Sequence, residues 1–234
     1  MTPLDVSLVS TVNDLNDAVV QEASDRALET SNLQDGCFYT DYDGVDDANH
    51  TADALFKISG AETIALEFQV GAVTDDFILG NLNTGALNGW AITTDTSKVR
   101  YLVFRDAGNS QALSTSTVID GLFHKVVVVR DLTNILLYLD GVLEATTACV
   151  DYTEPTLDFY LGRAGASYGG YGEVNIRNFE HHIGATSNPT AWIPGDTTSL
   201  AGTTLDSSSL DGGTNFETGS AFTTVGAPTR TECP

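Results

Sequence analysis

Gly121-Leu-Phe-His-Lys-Val-Val-Val-Val-Arg-Asp-Leu-Thr-Asn-Ile-Leu-Leu-Tyr-Leu-Asp-Gly-Val142 is the stretch on which the fold turns. Its first half, Phe123 to Val129, is apolar at adjacent as well as alternate positions, the pattern of a central strand covered on both faces. Its second half runs through residues 134–139 into Asp140-Gly141, a two-residue turn in which glycine supplies positive φ, with Leu137, Leu139 and Val142 flanking it. A buried strand followed by a hairpin is the signature of an antiparallel sheet. The same texture extends outward, with strands predicted near 37–42, 54–58, 62–70, 76–80, 88–94, 98–104, 111–118, 123–130, 134–139, 142–148, 157–162 and 173–183. In Ile64-Ala-Leu-Glu-Phe-Gln-Val70, alternation sends Ile64, Leu66, Phe68 and Val70 to one face and Glu67 and Gln69 to the other.

Many short strands with no long helix between them predict an all-β fold, a two-sheet antiparallel sandwich spanning residues 37–185. The ends read differently. In residues 1–36, Leu8, Val12, Leu15, Val19 and Ala23 recur at helical spacing, predicting a short N-terminal helix that either folds back on the domain or serves as an anchor or oligomerisation segment. Residues 186–234 are rich in Thr, Ser and Gly, and Trp192, Ile193, Leu200, Leu205, Leu210, Phe216 and Phe222 occur singly, which predicts an extended C-terminal arm.

Ten Lys and Arg against 32 Asp and Glu give a formal net charge of -22, which repels polyanions, so nucleic acid and anionic membrane are poor partners. Every apolar run is broken by charge or glycine before it reaches membrane-spanning length. The opening Met1-Thr-Pro-Leu-Asp-Val has neither a basic nor an apolar leader region, and the expectation is a protein made in the cytoplasm. Cys37, Cys149 and Cys233 lack the short pairing of zinc or redox motifs, and one disulfide tying the tail to the body is compatible with their number.

Two groups of residues carry a wider pattern: Tyr42-Asp43-Gly44-Val45-Asp46-Asp47 before the strand at 62–70, and Gly121-Leu-Phe123-His124-Lys-Val126 before Leu137-Tyr-Leu-Asp140-Gly141-Val142. In that order, and followed by Tyr160-Leu-Gly-Arg163 and Gly172-Glu-Val-Asn-Ile-Arg-Asn-Phe179, they resemble the laminin-G-like branch of the concanavalin-A-like lectin/glucanase superfamily, of the kind seen in phage virion proteins. The resemblance covers about 37–185 and implies a jelly-roll sandwich. Phe123 stands where the family usually has Trp, which implies one core aromatic in place of another, and Asn175 stands where Asp is common.

Most motif residues have architectural roles. Asp43, Gly44, Asp140 and Gly141 read as turn residues, and His124 within an apolar strand reads as a packed, hydrogen-bonded histidine. The superfamily's glycoside hydrolases carry alternating carboxylates on one strand, and no such strand is found here; Asp41-Tyr-Asp43 has the spacing but ends in a glycine turn, so no enzyme is expected. No cofactor is required, although the resemblance allows calcium on loop carboxylates, with Asp46, Asp47, Asp75, Asp76 and Asp151 as candidates. Arg163-Ala-Gly-Ala-Ser-Tyr168-Gly-Gly-Tyr171 is similar to sugar-binding loops, in which aromatic faces stack on pyranose rings, and makes Arg163, Tyr168 and Tyr171 the glycan candidates. His181 and His182 point to opposite faces of a regular strand, which argues against joint metal binding.

The functional expectation is a non-enzymatic protein of a virion surface, a capsid decoration, head fibre or tail-associated fibre. Its partners would be other virion proteins, sister subunits in a homo-oligomer such as a trimer, and host-surface glycans. The alternatives are an extracellular carbohydrate-binding module of a bacterium and, behind it, a glycoside hydrolase of the same fold.

Overall fold

A computed structural model describes residues 38–52, 56–57, 60–71, 77–84, 86, 88–105, 108–149, 156–166, 170–193, 203–206, 223–226 and 229–232. The chain divides into two units, Phe38–Thr231 and Met1–Cys37 with Glu232–Pro234. Of the second only Glu232 is described, and the helix expected in residues 1–36 lies outside the described residues, as do Cys37 and Cys233.

The strands are β1 (Phe38–Asp43), β2 (Ala48–Thr51), β3 (Glu62–Val70), β4 (Phe77–Gly80), β5 (Trp90–Asp95), β6 (Lys98–Arg105), β7 (Gly108–Thr117), β8 (His124–Arg130), β9 (Asn134–Leu139), β10 (Val142–Ala148), β11 (Phe159–Leu161), β12 (Glu173–Ile183), β13 (Thr203–Asp206), β14 (Thr223–Val225) and β15 (Thr229–Glu232). They form two antiparallel sheets. The first runs β10-β9-β8-β3-β12-β1-β15, with β13 also pairing with β12, and the second runs β14-β2-β11-β4-β5-β6-β7. The all-β sandwich is therefore the fold, and three short strands from the tail after residue 186 take places in its sheets.

Period-two alternation builds the core. Ile64, Leu66, Phe68 and Val70 of β3 turn inward with Val126 and Val128 of β8, and meet Ile78, Trp90, Ile92, Tyr101 and Val103 of the second sheet. Full burial of each such side chain contributes roughly 1.5–3 kcal/mol. The outer face of the first sheet is apolar as well, because Ala65, Val127 and Val129 are capped by Trp192, whose indole Nε1 donates to Glu180 Oε2 at 2.8 Å. That explains why 123–129 reads apolar on both faces.

Two expectations need correction. The strand predicted at 54–58 is absent at its described residues: Phe56 lies outside any strand and stacks flat on Phe159, with centroids 4.6 Å apart, while the pairing strand is the more polar β2. Phe123 is not a core aromatic. Because Val126 and Val128 face inward, the residue at 123 must face outward, and Phe123 lies half-buried beneath the Arg177 guanidinium, 4.0 Å from its Cζ, beside Tyr39. The third cysteine, Cys149, is a free thiol buried in the core.

Candidate functional site

Strand β11 places Phe159 and Leu161 in the core and so turns Tyr160 to the outer face of the second sheet. Opposite it in register stands His50 of β2, and the two rings stack at 5.0 Å with an interplanar angle of 20°. His50 Nδ1 lies 3.2 Å from Asp158 Oδ2, which fixes the imidazole. Beyond β11, Arg163 and Tyr171 form an isolated antiparallel bridge. The Arg163 guanidinium carbon lies 4.8 Å from the Tyr171 ring centroid and 5.7 Å from that of Tyr160, and its Nη2 donates to the Ala166 carbonyl at 3.2 Å. Burial, then the charge of Asp158, raises the Tyr160 phenol above its ordinary pKa despite the opposing pull of Arg163, so the hydroxyl stays protonated as a donor.

The row His50, Tyr160, Arg163, Tyr171 thus joins planar faces to hydrogen-bonding groups, the combination that holds a pyranose ring by its C–H face and its hydroxyls. Arg163 and Tyr171 come together as the sequence suggests, while Tyr168 lies outside the described residues. Tyr160 stands in the closing-strand motif with no binding role attached, and neither His50 nor Asp158 is marked by any binding pattern in the sequence. A polar tetrapeptide, Ala-Asn-His-Thr, gives no alternation that would have placed His50 on a strand.

The opening turn gathers carboxylates. Asp43 Oδ1 accepts from the backbone N–H of Val45 at 2.8 Å and of Asp46 at 3.4 Å, and Asp47 Oδ2 accepts from the N–H of Asp43 at 3.3 Å. Oxygens of Asp43, Asp46 and Asp47 lie within 4.8 Å of one another. Grouped carboxylate oxygens are the hard ligands from which part of the six-to-eight-oxygen shell of a calcium ion is built. Gly226 closes against this turn, and a side chain there would meet the Asp47 carboxylate and the Asp46 carbonyl. Asp46 and Asp47 are thus joined by Asp43, a residue the sequence does not mark as a metal ligand; Asp75, Asp76 and Asp151 lie outside the described residues.

His124 is held at both ring nitrogens, Nδ1 by Asp140 Oδ2 at 2.8 Å and Nε2 by Asp120 Oδ1 at 3.0 Å. Burial alone would lower its pKa, but the hydrogen bonds to Asp140 and Asp120 outweigh it and raise the value, so the ring favours the cation. A ring bonded at both nitrogens has no lone pair for general-base work. Asp140 also accepts the N–H of Lys125 at 2.8 Å, and with φ of 50° at Asp140 and 80° at Gly141 the hairpin is the left-handed two-residue turn. His181 bonds Glu62 inside the core and His182 bonds Glu180 on the outer face, so the pair shares no site.

Residues 43–180, more than half of the chain, match the family model of laminin-G type described as the concanavalin A-like lectin/glucanases superfamily. Among solved structures, a Bacteroides ovatus protein whose carbohydrate binding is itself a provisional assignment is similar in fold, with a TM-score of 0.61 at 15% identity over 84% of this chain and 60% of that one. Domains LG4-5 of the mouse laminin alpha1 chain are similar over 62% of this chain and 41% of theirs, with a TM-score of 0.48 at 19% identity. This chain therefore spans less than two thirds of either. No curated protein matches the sequence.

Proposed function

The chain belongs to the concanavalin A-like lectin/glucanases superfamily, and from that premise we propose that it is a non-enzymatic display domain that recognises glycans through the tyrosine–arginine row of its second sheet. The observation that carries the reading is that row itself: Tyr160, Arg163 and Tyr171, with His50 stacked on Tyr160, on the outside of a sandwich. Arg163 already lies against the Tyr171 ring, so a sugar must take the face it leaves. The arrangement suits shallow, weak binding made useful by several copies. The provisional carbohydrate-binding assignment of the Bacteroides ovatus protein agrees with this reading and belongs to the proposal.

The absence of turnover is part of the proposal. Asp43 is committed to its turn and His124 to two carboxylates, so neither supports a retaining pair. The proposed setting is the surface of a virion, in a homo-oligomer such as a trimer bound to other virion proteins. Its support is an acid-rich, lysine-poor composition that favours solubility and repels nucleic acid.

The test is a glycan array probed with the protein and with Tyr160→Ala and Tyr171→Ala. Retention of one glycan class by the parent, lost in both variants, is the expected result; identical profiles for all three would sink the reading. Product release from a bound glycan would overturn the non-enzymatic part. Immunogold labelling of purified particles tests the placement, which fails if the protein is found only in bacterial secretions.

A further inference from the structure

Arg163 differs from its fellow arginines in having no counter-charge. Arg100 meets Asp95 at 2.7 Å, Arg130 meets Glu62 at 3.0 Å and Arg177 meets Glu67 at 2.7 Å. Arg163 has no carboxylate partner among the described residues. Its contacts are the Ala166 carbonyl, to which Nη2 donates at 3.2 Å, and the rings of Tyr171 and Tyr160. Its Nε is shut off from water and donates to no acceptor.

A guanidinium carries five N–H donors in one plane, so most of that capacity is unused here. Stacking on the tyrosine rings holds the group in place, but a ring face attracts a cation far less than a carboxylate that accepts two of its hydrogen bonds. In a chain with 32 Asp and Glu against ten Lys and Arg, carboxylates are abundant, and a partly buried cation that meets none of them is open to an anion from outside.

The charges around the tyrosines are separated along the strand. Asp158 stands just before β11 with its Oδ2 3.2 Å from His50 Nδ1, and Arg163 stands just after β11, with Tyr160 between them. Both charges reach the Tyr160 phenol and act on it in opposite senses, Asp158 raising its pKa and Arg163 lowering it. The row is therefore polarised, with an occupied carboxylate–histidine pair at one end and an unmatched guanidinium at the other. The net charge of -22 opposes an extended polyanion. At physiological salt, however, charges more than about 8 Å away are largely screened, so a lone carboxylate at contact answers to Arg163.

We propose that the row takes a pyranose bearing a single carboxylate, of the hexuronic acid class, with the carboxylate on the Arg163 guanidinium and the ring packed against Tyr171 and Tyr160. The inference rests on the reading of this row as a glycan site and narrows that site to one chemical class.

Methyl glucuronoside and methyl glucoside, which differ only in a carboxylate for a hydroxymethyl group, test it when titrated separately into the full chain by ligand-observed NMR. The glucuronoside should bind in the millimolar range and the glucoside at least about tenfold more weakly. Arg163→Gln should bring the glucuronoside down to the level of the glucoside, and Arg163→Lys, which keeps the charge without the planar fork, should recover part of the difference, with thermal melts showing that each variant folds. Equal binding of the two sugars, or an unchanged glucuronoside affinity in folded Arg163→Gln, would overturn the proposal. The two readings fail separately. A neutral glycan retained by the parent and lost in the Tyr160 and Tyr171 variants, with no preference for the glucuronoside, sinks the carboxylate inference and leaves the row. Glucuronoside binding that is lost in Arg163→Gln but kept in both tyrosine variants sinks the row and leaves an Arg163 carboxylate site.

Discussion

Glu62 opens β3 on the face that its neighbours Ile64 and Leu66 give to the core, and it is fully buried there. Its carboxylate accepts from Arg130 Nε at 3.0 Å and from the Tyr101 hydroxyl at 3.0 Å, and meets His181 Nε2 at 3.0 Å. Burial pushes the Glu62 pKa up, but the Arg130 charge and the bonds to His181 and Arg130 outweigh it and hold the value at about 2. A carboxyl depressed in the folded state stabilises the protein above its ordinary range and loses that contribution as pH falls from 4.5 toward 2. Glu62→Gln should therefore cost about 3–5 kcal/mol at neutral pH in urea unfolding, because it leaves a buried guanidinium without its counter-charge. It should also flatten the acid limb of the stability profile. His124 has the opposite sign. Its raised pKa gives a contribution fully present below the ordinary histidine value of 6.5 and lost as pH rises through the folded value. The melting temperature should fall as pH rises above 6.5, and His124→Gln should remove that slope; a parallel slope in the variant would refute the assignment.

At the scale of elements, the deciding feature is the bulge in β12. Register shifts between Arg177 and Glu180, and Asn178 sits at φ 53°, a conformation that asparagine tolerates better than most residues. Before the bulge Val174 and Ile176 face the core; after it Phe179 and His181 do. A regular strand would send His182 inward instead. Alternation in the sequence shows that His181 and His182 part company, but which of them enters the core depends on one extra residue that no pattern marks. Trp192 is the second such case. It reads as an isolated aromatic in a polar tail, yet it seals the outer face of the first sheet over Ala65, Val127 and Val129. Trp192→Ala should cost about 3–5 kcal/mol by denaturant unfolding and increase binding of a hydrophobic dye. At the open edge Glu144 of β10 accepts from the backbone N–H of Thr115 at 2.8 Å and of Ser116 at 3.1 Å on β7, which ties the two sheets' last strands together and protects them from pairing with another chain.

For the whole molecule, a net charge of -22 is a self-repulsion that salt screens. Raising sodium chloride from about 0.05 to about 0.5 M should increase the melting temperature, where a protein held by surface ion pairs would lose stability. The sequence by itself determined the sandwich, because a β-strand's period of two forces Ile64, Leu66, Phe68 and Val70 to one side whatever surrounds them. It likewise determined the Asp140-Gly141 hairpin, since few residue pairs accept two left-handed backbone conformations. The glycan candidates were half legible: Arg163 and Tyr171 stand in one glycine-rich loop, whereas His50 lies more than a hundred residues away and joins them through cross-strand register alone. Only the tertiary structure decided the buried Glu62–Arg130–His181 cluster, the outward turn of Phe123 and the stacking of His50 on Tyr160. Each of these depends on which strands are neighbours and in what register, and those pairings are fixed by the packing of the whole core rather than by any local run of residues.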